Sequence, residues 1–168
     1  NSKIVCMFFK KSEDTEKKVN KFNIAIIVGL LVCAVILYFY QKYYWPKADI
    51  IIGGQYLEVL VAKTPEKLYE GCSNKDDLGK YDGMLFYFNE KSQHPMVMRD
   101  MHFALDMVWL DGLEIVDLAK NLEPEPGKNE LQLTPYVGRT KNNMVLELPA
   151  GFLDKNGVKI GDKIEIVR

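Results

Sequence analysis

Hydrophobic positions follow two regimes along this chain. From Phe22 to Gln41 the run FNIAIIVGLLVCAVILYFYQ carries no charge. At a helical rise of about 1.5 Å per residue it reaches roughly 30 Å, the thickness of a bilayer's hydrocarbon core. After Trp45-Pro46 the pattern changes to short alternating runs divided by Gly, Pro, Asn and Asp. Ile50 to Ile52 and Gln55 to Ala62 flank Gly53-Gly54, which predicts a hairpin. Thr64-Pro65-Glu66 predicts a helix start, with a capping hydroxyl, proline at the first helical position and an acid in the first turn; Gly71 stops it. Further strands are predicted at Met84 to Phe88, Met96 to Met101, Met107 to Leu110, Glu114 to Leu118, Met144 to Leu148 and Lys163 to Val167, with a turn at Asp154 to Gly157. Most of these strands are joined without room for a crossover helix, so antiparallel pairing and an α+β class with one or two short helices are expected.

The flanks of the apolar run define an anchor. Lys17, Lys18 and Lys21 precede it, and Tyr38, Tyr40, Tyr43, Tyr44 and Trp45 crowd its far end as an interfacial aromatic belt does. A cleaved signal peptide has a shorter apolar core followed by a small-x-small site, and bulky Tyr43, Tyr44 and Trp45 stand there instead. Lys3, Lys10, Lys11, Lys17, Lys18 and Lys21 lie before the helix and only Lys42 and Lys47 closely follow it, which puts the N-terminus in the cytoplasm. The expected organisation is a basic cytoplasmic tail at 1–21, a single transmembrane helix at 22–44 and an extracytoplasmic domain at 48–168. The chain begins with Asn1, so it is a fragment or a reading frame opened too far upstream. Met7, leading through FFKKSEDTEKK into the anchor, is the expected start in the second case.

Charge divides at the same boundary. Residues 1–47 hold eight Lys and three acids, leaving fourteen Lys and Arg against twenty acids in 48–168, a net of +5 before and −6 after. An acidic domain lacks the electrostatic footprint for a phosphate backbone, so nucleic acid is not an expected partner. The basic segment is a topology signal and a contact for anionic membrane lipid. Cys6, Cys33 and Cys72 lie one each in tail, anchor and domain, so no disulfide can form within the domain, and Cys72 is expected to be buried. The sequence holds no CxxC pair, no HExxH, no GxSxG and no phosphate-cradling glycine loop, and no cofactor is implied. The long connection from Asn121 to Lys141, broken by Pro124, Pro126 and Pro135, reads either as a surface loop or as a lid over a cleft.

Four motifs stand in order: Gly83-Met84-Leu85-Phe86; Met98-Arg99-Asp100-Met101 followed by Leu105 to Gly112; Val145-Leu146-Glu147-Leu148-Pro149-Ala150-Gly151; and Ile160-Gly161-Asp162. With the preceding TPEKLYEG segment, they make residues 49–168 resemble the domain of unknown function 192 family of bacteria and archaea. The resemblance implies a compact α+β domain with an antiparallel, barrel-like curved sheet, often exported or membrane-anchored, and no assigned reaction. Cys72-Ser73 departs from the family's common Leu-Met, Met96-Val97 from an aromatic pair, and Ala104 from a proline.

Among individual residues, Met98, Arg99, His102 and Asp106 are the candidates to line a ligand cleft. Asp106 opens an apolar strand on the same alternate face as Val108 and Leu110, so its carboxylate must pair, bond backbone donors or rise in pKa. Arg99 and His102 are its nearest candidate partners. Glu147 lies on the face opposite Met144, Leu146 and Leu148 and is read, like Asp106, as structural before catalytic. The first function class is a binding or accessory module at the cell surface with an unknown ligand or protein partner. Alternatives are a hydrolase-like enzyme using Asp106 with a nearby His, or a copper protein using His94, Met96, Met98, Met101 and His102, since thioethers and imidazole suit Cu(I).

Overall fold

The structure is a computed structural model that describes residues 21–167, so the expectations for the basic tail, Cys6 and Met7 lie outside the described residues. The chain divides between Tyr44 and Trp45 into two units. The first contains helix α1 (Lys21–Tyr43), 23 residues long. By length and composition it could cross a membrane, and its apolar side chains, from Phe22 to Tyr43, are exposed along its length.

The second unit is built on a curled, mixed sheet of seven strands. β1 (Lys47–Ile52) and β2 (Gln55–Ala62) form the expected hairpin, with Gly53 and Gly54 both at positive φ. Helix α2 (Pro65–Glu70) follows, its Thr64 hydroxyl accepting from Lys67 N at 3.4 Å and Gly71 ending it at φ 49°. β3 (Gly83–Ser92) pairs parallel with β2, a connection made possible by the crossover through α2 and residues 71–82. The remaining pairings are antiparallel. β5 (Leu105–Asp111) lies between β6 (Glu114–Leu122) and β8 (Asn142–Pro149), and β9 (Glu165–Ile166) pairs with β1, giving the order β6-β5-β8-β3-β2-β1-β9. The sheet curls so that Ile115 N donates to Asp162 O at 2.8 Å and Ile164 N to Leu113 O at 2.9 Å, bringing the chain before β9 back to the β5–β6 edge. This half-barrel is the expected α+β architecture with a barrel-like curved sheet; the sheet is mostly antiparallel, the parallel β2–β3 pair departing from the antiparallel pairing expected.

Two expected elements differ. The strand predicted at Met96 to Met101 stops after β4 (Pro95–Met96), which pairs with β7 (Tyr136–Val137), because Asp100 turns the chain at φ 48°. The turn predicted at Asp154 to Gly157 begins as a helical turn, α3 (Phe152–Lys155).

Both faces of the sheet are apolar. One carries Ile50, Ile52, Val108, Leu110, Leu146 and Leu148 with Leu153 and Ile164. The other carries Leu60, Met84, Phe86, Met107, Trp109 and Val145, and it is covered by Cys72, Met96, Met98 and Met101. β5 is accordingly buried on both sides from Leu105 to Leu110.

Candidate functional site

The covering of the second face leaves a cleft of about 310 Å³. One wall runs from Leu68 to Ser73, the other comprises Pro95 to Val97, Arg99 and Met101, and Phe86 and Glu147 lie between them. Gly71 lets the first wall leave α2 in the left-handed region. A Cβ there would meet the Phe86 ring at 3.1 Å, so glycine serves both the turn and the close approach. The next residue, Cys72, enters the core at 2% exposure. The two walls are joined where Ser73 Oγ donates to Arg99 O at 2.8 Å and Asn74 N donates to Asp100 O at 2.8 Å.

Arg99 stands at the cleft's edge. Its Nε donates to Glu130 Oε2 at 2.6 Å, its Nη2 to the other carboxylate oxygen and its Nη1 to Tyr69 O at 2.9 Å, with the guanidinium carbon 4.0 Å from the centre of the Tyr69 ring. A bidentate pair of this kind fixes orientation as well as charge. It holds the Glu130 carboxyl below the usual carboxylate range. It also ties the long connection to the cleft. Glu130–Gln132 is a 3-10 turn capped by Asn129, and the same connection is pinned by Asp117, which accepts from Arg139 N at 2.7 Å, Nε at 3.0 Å and Nη2 at 2.7 Å. Glu125, accepting from Lys128 and from Thr134 Oγ1 at 2.6 Å, is held down to about 2. The segment is therefore an ordered strap beside the cleft.

Glu147 is the unusual member. On β8 it lies directly between Met84 of β3 and Met107 of β5, and cross-strand neighbours share a face. It is 4% exposed, and its Oε2 finds no hydrogen-bond partner among the described residues. Burial pushes its carboxyl up to about 7; a hydrogen bond from the Cys72 thiol acts in the opposite direction. Cys72 Sγ lies 3.9 Å from Met84 Sδ, and burial, followed by the charge of Glu147, pushes that thiol well up, which makes it a poor nucleophile. Chemically the floor offers one carboxyl near its midpoint at neutrality, able to accept from or donate to a bound group.

The four expected cleft residues separate. Arg99 lines the cleft. Met98 is fully buried in the core beneath the second face, and His102 is exposed with Nδ1 2.9 Å from Asp76 Oδ1. Asp106 lies on the opposite face of the sheet from Glu147, fully buried, accepting from Asn121 N at 2.8 Å and Leu153 N at 2.9 Å. Its partners are thus backbone amides and not Arg99 or His102, and no His stands beside it for hydrolase-like chemistry. The His/Met copper set also separates: His94 stacks on Phe88 at 3.7 Å between ring centres and donates from Nε2 to Glu90 O at 2.9 Å, while Met96, Met98 and Met101 pack in the core. Among the described residues no group of three His, Cys, Asp or Glu is placed to hold a metal. Glu147 was visible in the sequence but read as structural. The signal that marks it is the apolar character of both faces of its neighbours, Met84-Leu85-Phe86 and Met107-Val108-Trp109, which leaves no solvent side for it.

Fold and cleft together define a small half-barrel domain with a buried acid in its cleft. The chain belongs to the domain of unknown function 192 family, DUF192, described as an uncharacterized ACR, which matches residues 48–166. Two solved structures resemble it. One, from Sinorhizobium meliloti 1021 and provisionally described as a transcription regulator, superposes with a TM-score of 0.63 at 26% identity, covering 74% of this chain and 95% of that one. The other, a protein of unknown function from Novosphingobium aromaticivorans, gives a TM-score of 0.60 at 22% identity over 72% of this chain and 84% of its own. None of the curated proteins matches.

Proposed function

We propose that the chain is a membrane-anchored binding module, with helix 22–44 in the membrane, the basic tail 1–21 in the cytoplasm against anionic lipid, and domain 48–168 outside, holding a small molecule or a partner's side chain in the cleft. The observation that carries the reading is Glu147: a buried carboxyl whose Oε2 has no hydrogen-bond partner, at the floor of a cleft whose volume lies at the lower end of the range for ligand sites, roughly 300 to 1,000 Å³. Lysine asymmetry and the aromatic belt support the orientation. The regulator description of the Sinorhizobium protein is not extended to this chain, because its domain carries fourteen basic against twenty acidic residues.

The test follows methionine methyl resonances of the full chain in detergent while small fragments are added. Binding in the cleft shifts Met96 and Met101, which line it, and leaves Met144, on the other face, unmoved. Val97→Trp, at a half-buried wall position, should block the shifts. Fragments that never perturb Met96 or Met101 would sink the binding reading. Protease added to intact cells should remove the domain, and its protection would reverse the orientation.

A further inference from the structure

We infer that the cleft takes a small organic cation, an ammonium or amidinium head seated on the Glu147 carboxylate with an apolar body against Phe86, Met96 and Met101. The inference rests on the binding reading above and names its ligand class. A buried charge is stable only when paired, and a buried carboxyl lacking a partner takes a proton instead. The groups that face Glu147 are known from each element packed against it. Met84 comes from β3 and Met107 from β5, Cys72 from the turn after α2, and Phe86, Met96 and Met101 from the cleft walls. Among them Cys72 is titratable, and burial keeps it protonated; Tyr69, Glu70 and Arg99 are the other titratable side chains that line the cleft.

The cations at the edge are committed elsewhere. Lys75 Nζ lies 3.2 Å from Glu70 Oε1 and 3.1 Å from Gly71 O, and Arg99 is held by Glu130 and Tyr69 O. The Cys72 thiol serves this carboxyl without neutralising it, so the missing partner of Glu147 Oε2 is one that the protein leaves to a ligand. An ammonium or amidinium supplies N–H donors and a positive charge together, and Leu68, Phe86, Met96, Val97 and Met101 of the lining give its body apolar contact. A hard metal ion would need several oxygens, and of the two acids lining the cleft, Glu147 stands at the floor while Glu70 is paired with Lys75.

Titration calorimetry on the detergent-solubilised full chain, with empty micelles as blank, compares benzylammonium with its neutral isostere benzyl alcohol at pH 6, 7 and 8. Only the ionised carboxylate pairs with the cation. With the carboxyl titrating near about 7, its ionised fraction rises from roughly one-tenth at pH 6 to roughly nine-tenths at pH 8. Benzylammonium should therefore bind about tenfold more tightly at pH 8 than at pH 6, and benzyl alcohol at least about tenfold more weakly than benzylammonium at pH 8. Glu147→Gln should lose both the affinity and the pH dependence. If that variant does not fold, the two probes on the natural protein decide alone. Benzyl alcohol binding as well as the cation, affinity falling as pH rises, or no saturable benzylammonium binding below about 10 mM each overturns the inference. If the calorimetry overturns the inference while neutral fragments still shift the Met96 and Met101 methyls, the inference falls and the binding reading stands; if both experiments fail, both fall.

Discussion

Replacing Glu147 by Gln should change how the stability of the domain depends on pH, and the size of that change follows from where the carboxyl sits. In the unfolded chain it titrates at its ordinary value of 4.5; in the fold, burial raises it to about 7. Below pH 4.5 both states hold the proton and the group is neutral to stability. Between the two values the unfolded chain releases the proton while the folded chain keeps it, so folding loses stability as pH rises; above about 7 the loss is complete. An interval of about 2.5 pH units at about 1.4 kcal/mol per unit gives about 3 kcal/mol. Gln has the same shape and no proton to lose. The stability of Glu147→Gln relative to the natural protein should therefore climb by about 3 kcal/mol between pH 4.5 and pH 7.5, equivalent to about 10 °C in melting temperature for a domain of this size. Melting followed by circular dichroism on the full chain in detergent at pH 5, 6, 7 and 8, both proteins in parallel, reads that difference directly. Two profiles that run parallel across the range would refute the reasoning, since they would mean that the carboxyl is either hydrated or paired in the fold.

Three further outcomes are expected. Asp106→Asn keeps one acceptor oxygen but turns an NH₂ toward one of the two amides it serves, Asn121 N and Leu153 N, so it should lower stability by about 1 to 3 kcal/mol in denaturant titration, and Asp106→Ala by at least as much; variants melting at or above the parent would contradict this. Cys72, 2% exposed with its thiol pushed up by burial, should escape iodoacetamide in the native chain and react once unfolded, as mapped by peptide mass spectrometry; rapid native labelling would contradict the placement. Glu130→Gln removes the charge that Arg99 grips, so amide exchange across residues 122–135 should accelerate while the melting temperature changes little; unchanged exchange would show that Asp117 and Glu125 hold the strap without it.

Much of the fold can be read along the chain wherever a local rule decides. Gly53-Gly54 announces the β1–β2 hairpin because the turn there needs positive φ, and Thr64, Pro65 and Gly71 bracket α2 because each meets a cap requirement at its own position. What fails is decided by contacts between distant segments. Met96 to Met101 has the composition of a strand, yet Ser73 and Asn74 take the carbonyls of Arg99 and Asp100, and the chain turns to meet them. The parallel β2–β3 pairing is equally non-local, since it depends on α2 carrying the chain across the sheet. Site residues follow the same division. Arg99 stands out as a charge among methionines, but its partner Glu130 lies 31 positions away in a proline-broken connection that shows no periodicity.

Asp106 and Glu147 show why residue type alone does not separate a structural acid from a site acid. Both are buried carboxylates on central, adjacent strands, and both interrupt an apolar alternation. They differ in what the surrounding backbone offers. On the face of Asp106 the chain bends at Asn121, near the end of β6, with φ 52°, and Leu153 lies in the first turn of α3, so two amides that no sheet partner satisfies converge on the carboxylate. Each amide would cost about 1 to 3 kcal/mol if left buried and unpaired, and a single acid removes both penalties. On the face of Glu147 the neighbours are Met84, Met107 and a protonated thiol, and the backbone groups on either side are already spent in the β3–β8 and β5–β8 ladders. A carboxyl there takes only the Cys72 thiol and bears most of the desolvation penalty of its own ionised form. An apolar residue of similar size would stabilise the sheet better at neutral pH, which is why Glu147, and not Asp106, carries the proposal of a ligand in the cleft.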